Sequence, residues 1–126
     1  MPRPDTSTLP GGLQYPRRVS YERGLELIRA GEYFEAHEAL EDEWRVAPTE
    51  ERDFLQGLVH VAVAWYHAGR GNRNGCERQL AKAARRLGPY APSHRSLDVA
   101  DLLDQVRAAT ARVETGDIGL DPVQPH

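Results

Sequence analysis

With 126 residues, 40% apolar and 28% charged, the chain can bury about two-thirds of its unfolded surface in one core without disulfides or a structural metal. A formal charge of −3 offers no global electrostatic reason for a nucleic-acid partner, and the longest strongly apolar run, Leu58 to Tyr66, falls far short of the roughly 20 residues of a membrane span. The N-terminus lacks the apolar stretch of a secretory signal and the single Cys76 cannot form an intrachain disulfide, so the expectation is a cytoplasmic protein without a membrane partner.

Residues 1–18 hold four of the nine prolines and an adjacent glycine pair with no periodic apolar pattern, which predicts a flexible N-terminal arm. A helical domain follows over 19–115. The first predicted helix runs from Ser20, a plausible N-cap, to Ala30, with Gly31 as its stop. The second begins near Glu32 and ends before Pro48. Thr49 is the expected N-cap of a third that reaches Ala68, with Glu50 and Glu51 suited to its positive end. Asn72 caps a fourth that runs to Leu87, and Ser96 a fifth from Leu97 to Thr115. Residues 116–126, again rich in Pro and Gly, read as a flexible C-terminal tail. No stretch alternates with period two for long enough to claim a strand. Short links favour antiparallel neighbours, so the fold class is all-α, a single-domain bundle of about five helices in antiparallel hairpins.

The second helix, "YFEAHEALEDEW", carries the main functional lead. At 100° per residue from Tyr33, Ala36, Leu40, Tyr33 and Trp44 lie within roughly 80° of one another with Phe34 further round, and His37 and Glu41 fall at about 40° and 80°, on this apolar side between Trp44 and Phe34. Glu35, Glu38, Asp42, Glu43 and Arg45 take other directions, where water can solvate them. An ionised carboxylate on a buried face is costly unless paired, and an imidazole needs partners for both nitrogens. At i and i+4 the two groups are neighbours, so they form either a structural polar network or the wall of a pocket. As metal ligands, His37 and Glu41 are a half-site for a divalent ion that needs further donors from another helix. "HEALE" is not the zincin H-E-x-x-H, because position i+4 is Glu41.

The third helix has a broad apolar arc with Gln56, His60 and His67 clustered on its flank. One of these histidines could join His37 and Glu41, although the two are about 10 Å apart along the helix. Gly57 in mid-helix implies a close approach by a neighbouring backbone, expected beside Trp44. Asn72 completes the candidate pocket. Cys76 reads as a small, half-buried helix residue in preference to a nucleophile. Arg78, Lys82 and Arg85 can share a face of the fourth helix, but without interleaved aromatics this is a solvated face before it is a nucleic-acid site.

Four segments in order, "GEYFEAHEALEDEWR", "FLQGLVHVAVAWYH", "RGNRNGCERQLAKAARRL" and "SLDVADLL", resemble the bacterial and archaeal domain-of-unknown-function 309 family over about residues 31–103. The resemblance places His37, Glu41 and Trp44 on that family's His-x-x-x-Glu-x-x-Trp/Tyr motif, for which metal binding has been suggested, and extends to Gln56, Gly57, His67, Gly71, Asn72, Gly75 and Asp98. His60 and Cys76 stand where the family pattern leads one to expect glutamine and alanine. The resemblance implies an all-helical domain and no established activity.

Two functional readings stay open. In the first, the His37/Glu41 cluster, with Trp44 as wall and Gln56, His60 or His67 opposite, binds a divalent metal and supports metal-assisted hydrolysis. In the second, the chain is a non-enzymatic interaction or homodimerisation module in which the pair is structural. The sequence identifies neither a small-molecule ligand nor a cofactor beyond that candidate metal.

Overall fold

A computed structural model describes residues 17–126. Most of the expected N-terminal arm therefore lies outside the described residues. Five helices dominate: α1 (Arg17–Arg29), α2 (Tyr33–Arg45), α3 (Thr49–Gly69), α4 (Arg73–Leu87) and α5 (Val99–Glu114). The fold is an all-α helical bundle. Helix α3 is central, packing against α2 on one side and α4 on the other, while α1 lies on α2 and α5 on α4. Phe54, Leu55, Leu58, Val61, Ala62 and Ala64 of α3 are fully buried, and each large apolar side chain so placed contributes about 1.5–3 kcal/mol. No helix of the described residues is long and apolar enough to cross a membrane.

The helix ends follow local chemistry, in part other than expected. Gly31 and Gly71 adopt φ of +78° and +75°, which lets Glu32 N–H reach the Leu27 carbonyl at 2.9 Å and Asn72 N–H that of His67 at 2.9 Å. This backward bonding closes α1 and α3, and only glycine enters that region without a Cβ penalty. Asn72 caps α4 as expected, its side chain accepting from Gly75 N–H at 2.9 Å. Ser20 is not a cap, because α1 already begins at Arg17. Thr49 is the first residue of α3, after an extended Pro48 with no side-chain cap. Asp98, not Ser96, caps α5 by accepting from Asp101 N–H at 2.9 Å, a carboxylate matching the positive helix end better than a hydroxyl.

Between α4 and α5 the chain makes a short 3₁₀ turn (Gly88–Tyr90) and a two-stranded antiparallel hairpin, β1 (Ser93–His94) and β2 (Leu97–Asp98). Its two central residues, Arg95 and Ser96, have φ of +51° and +62°, the backbone a tight two-residue hairpin turn demands. Two-residue strands are too short to leave an alternating pattern in the sequence.

Residues 116–126, expected to be a flexible tail, instead lie along the helices. Val123 and Pro125 are buried, and Trp65 Nε1 donates to the Asp121 carbonyl at 2.9 Å. Proline and glycine rule out helix here, but they do not prevent an extended segment from docking. Gly57 does mark a close approach, though its neighbour is α4 and not Trp44: a Cβ there would meet Leu87 side-chain atoms at 2.7 Å.

Candidate functional site

His37 and Glu41 face each other along α2, with Nε2 to Oε1 at 3.3 Å and side-chain exposures of 24% and 33%. The pair is thus neither enclosed in the core nor free on the surface. His37 Nδ1 is buried without a hydrogen-bond partner among the described residues. Arg45 Nη2 approaches the same Glu41 oxygen at 3.8 Å.

His37 lines a cleft of about 140 Å³ with Tyr33, Phe34, Val63, Tyr66 and His67. Rings dominate it: Phe34 lies 5.5 Å from His37 and 5.6 Å from Tyr66, centroid to centroid, each pair tilted. Phe34 is nonetheless 47% exposed, which is unusual for so large an apolar side chain with ring neighbours available. A second, larger cleft of about 390 Å³ shares Tyr33, Phe34 and Tyr66 and extends to Trp65 and Arg70. The Arg70 guanidinium sits 5.5 Å above the Tyr66 ring, a favourable cation–π placement. Burial raises the Tyr33 phenol above its ordinary value, with partial relief from a hydrogen bond to the Val123 backbone.

Of the other residues singled out from sequence, the fold brings only His67 into this cleft, where Asn72 Nδ2 lies 3.3 Å from its Nδ1. Asn72 thereby joins the α4 cap to the cleft wall. His60 points away: it is 8% exposed and its Nδ1 lies 2.6 Å from Gln79 Oε1 on α4. Burial pushes its pKa below the ordinary histidine value, the Gln79 hydrogen bond opposes this, and nearby Arg86, Lys82 and Arg85 add to it. Gln56 is half-buried, and neither it nor Trp44 lines the His37 cleft. The Trp44 ring carries the Arg52 guanidinium 4.1 Å from its centroid. Among the described residues no three His, Cys, Asp or Glu side chains come together as a metal-holding group. Cys76 is buried, and burial, aided by Glu77, raises its thiol pKa and disfavours the reactive thiolate.

A second polar cluster escaped the sequence reading. Glu43, assigned there to solvent, is 2% exposed, with Arg95 Nη1 3.4 Å from its Oε2. It follows Ala36 by seven residues, two turns on, and so shares the buried face of α2. Arg95 Nε donates to Glu51 Oε1 at 2.9 Å, and His94 Nε2 lies 2.9 Å from the same oxygen. The His94 ring packs edge-on to Phe54 at 4.6 Å, and the Arg95 guanidinium lies 4.9 Å from the Tyr21 ring. Burial drives the Tyr21 phenol strongly upward, with Arg95 pulling the other way. Charged groups from α2, α3 and the hairpin are joined here into a clasp.

Residues 21–79 match the family described as domain of unknown function DUF309. The chain is also 34% identical over 97 residues to the uncharacterized protein YpuF of Bacillus subtilis (strain 168), an alignment that covers 72% of this chain and 54% of that protein. The chain thus spans about half the length of this relative. The match takes in α1 from Tyr21 onward, α2, α3 and the first half of α4, which include the elements that build the aromatic cleft and hold Glu43 and Glu51. On this evidence the chain belongs to the DUF309 family.

Proposed function

We propose that this chain is a non-enzymatic binding module whose contact surface is the aromatic cleft between α2 and α3, with the His37–Glu41 pair as its polar edge. The observation that carries the reading is Phe34. It stays half-exposed between two adjoining clefts while its ring is held by His37 and Tyr66. A preformed apolar recess with a few convergent polar groups is the usual form of a binding site, and a protein partner's apolar side chain is the ligand it suits. Glu32, Glu35 and Arg70, which line the larger cleft, supply charged groups beside it.

Metal-assisted hydrolysis has weaker support. The His37–Glu41 pair supplies two donors, His67 borders the same cleft, and the Arg45 guanidinium beside Glu41 competes electrostatically with a cation.

The two readings separate experimentally. N-acetyltryptophanamide, as a probe of the cleft, is expected to shift the NMR resonances of Phe34, Val63 and Tyr66, and Phe34→Ala to abolish those shifts. Shifts spread over the whole surface, or indifferent to Phe34→Ala, would sink the binding reading. Equilibrium dialysis against Zn²⁺ that finds one site per chain, lost in His37→Ala, would put the metal reading in its place.

A further inference from the structure

The docked tail is held in a way that resembles peptide recognition more than core packing. Residues 120–126, Leu-Asp-Pro-Val-Gln-Pro-His, have no strand or helix of their own. Their backbone is bound by side chains from four helices, Tyr33 of α2 meeting the Val123 backbone. Trp65 Nε1 of α3 donates to the Asp121 carbonyl at 2.9 Å. Gln105 of α5 bonds Gln124 in both directions, its Nε2 donating to the carbonyl at 2.7 Å and its Oε1 accepting the N–H at 2.8 Å. Arg29 Nε of α1 donates to the Pro125 carbonyl at 2.8 Å.

Two of the three carbonyls bound in this way have a pattern. Those of Asp121 and Gln124 each precede a proline, Pro122 and Pro125, and they stand three residues apart. In a polyproline II helix three residues make one turn, so a partner segment in that conformation presents carbonyls at this spacing in one direction. Proline offers no N–H, which leaves its carbonyl neighbours as the groups a groove can bind, and aromatic walls with an indole donor are the common solution. Val123, between the prolines, is the buried anchor at 1% exposure.

The resident segment does not fill its groove. A cavity of about 120 Å³ remains beside Pro122, lined also by Trp65, Gln105, Arg112 and Leu120. Arg112 Nη1 lies 3.5 Å from Asp121 Oδ2, whose side chain is 94% exposed, a solvated pair that gives an acidic residue just before the first proline a small advantage.

We propose that the groove of Arg29, Trp65 and Gln105 is a recognition site for extended acidic-Pro-x-x-Pro segments on a protein partner, kept closed in cis by residues 121–125. This surface adjoins the larger Phe34 cleft, with which it shares Trp65, but Phe34 itself does not line it. A tethered segment competes at a high effective concentration, so partner binding requires the tail to be displaced or out-competed.

The test uses a fluorescein-labelled peptide of sequence LDPVQPH and the full chain. Val123→Asp releases the resident tail, and the labelled peptide is expected to bind this variant about tenfold or more tighter than wild type, since only the open fraction is competent. Adding Gln105→Leu should remove that binding, as should P122A/P125A in the peptide, whereas Phe34→Ala should leave it unchanged. Equal affinity for wild type and Val123→Asp, or no binding to a Val123→Asp variant of native helix content, overturns the proposal. A wild-type dimer that exchanges tails between copies also overturns it, because a second copy then replaces the partner. If Val123→Asp fails to fold, hydrogen exchange on wild type decides: the Gln124 amide should exchange about 100-fold faster than Val61 of α3, by local opening. Equal rates make the tail part of the core and end the proposal.

Discussion

Arg95 spans two carboxylates, donating through Nε to Glu51 at 2.9 Å while its Nη1 lies 3.4 Å from the buried Glu43. It does so from a left-handed backbone position, φ +51°, so the hairpin turn and the ion pairs are mutually dependent. Removing one partner of a buried pair leaves the other charge in low dielectric, which costs far more than the pair contributes. Arg95→Ala is therefore expected to destabilise the protein by about 3 kcal/mol. Adding Glu43→Gln should recover part of that loss, as residues sharing one network are non-additive. Urea unfolding of the two single variants and the double variant checks this, and strict additivity would contradict it.

Acid should act in two stages. His60 binds its proton less readily in the folded chain, so its contribution is full above the ordinary histidine value of about 6.5 and declines as pH falls through it. Burial pushes the Glu51 carboxyl up, but hydrogen bonds and charge from His94 and Arg95 outweigh it, leaving the carboxyl below its usual range. That contribution is present above about pH 4.3 and lost as pH falls on toward the folded value. His60→Gln keeps an amide toward Gln79 and should flatten the first stage without touching the second. Melting temperatures from pH 8 to pH 3 measure both. An unchanged profile in His60→Gln would count against the first assignment.

Gly57→Ala sets helix propensity against packing. Alanine gains about 1 kcal/mol in a helix interior, but its Cβ would meet Leu87 Cδ2 and Cγ at 2.7 Å and the Leu87 backbone nitrogen at 3.4 Å. Overpacking of this kind typically costs about 1–3 kcal/mol. Because the backbone limits retreat, the clash is expected to win and the melting temperature to fall. A rise would mean that α3 and α4 can separate without loss.

Local sequence showed the five helices because their signals lie within a few residues: Gly31 and Gly71 as stops, Asn72 as a cap, and the apolar face of α3. The candidate cleft was half legible, since His37 and Glu41 meet along one helix and His67 is brought to the same cleft by the α2–α3 packing. His60 turned instead toward Gln79, because its position on the flank of α3 faces α4. Glu43 was hidden by its acid-rich surroundings and by the separation of 52 positions from Arg95. Periodicity identifies a buried face but not the partner that neutralises a charge on it. The tail shows the converse: composition marked where helix stops, while its docking depends on Trp65 and Gln105, far away in sequence.

The bond from Arg29 to Pro125 joins positions 96 residues apart, whereas the helix hairpins close over short links. Loop-closure entropy grows with separation and must be met before a distant contact stabilises anything. The tail should thus attach to an already assembled bundle, after the folding barrier. Val123→Ala is expected to speed unfolding while leaving the folding rate nearly unchanged, a φ-value near zero in stopped-flow kinetics. The segment then acts on the lifetime of the native state more than on the route to it, and covering or uncovering its groove changes how long the molecule stays folded.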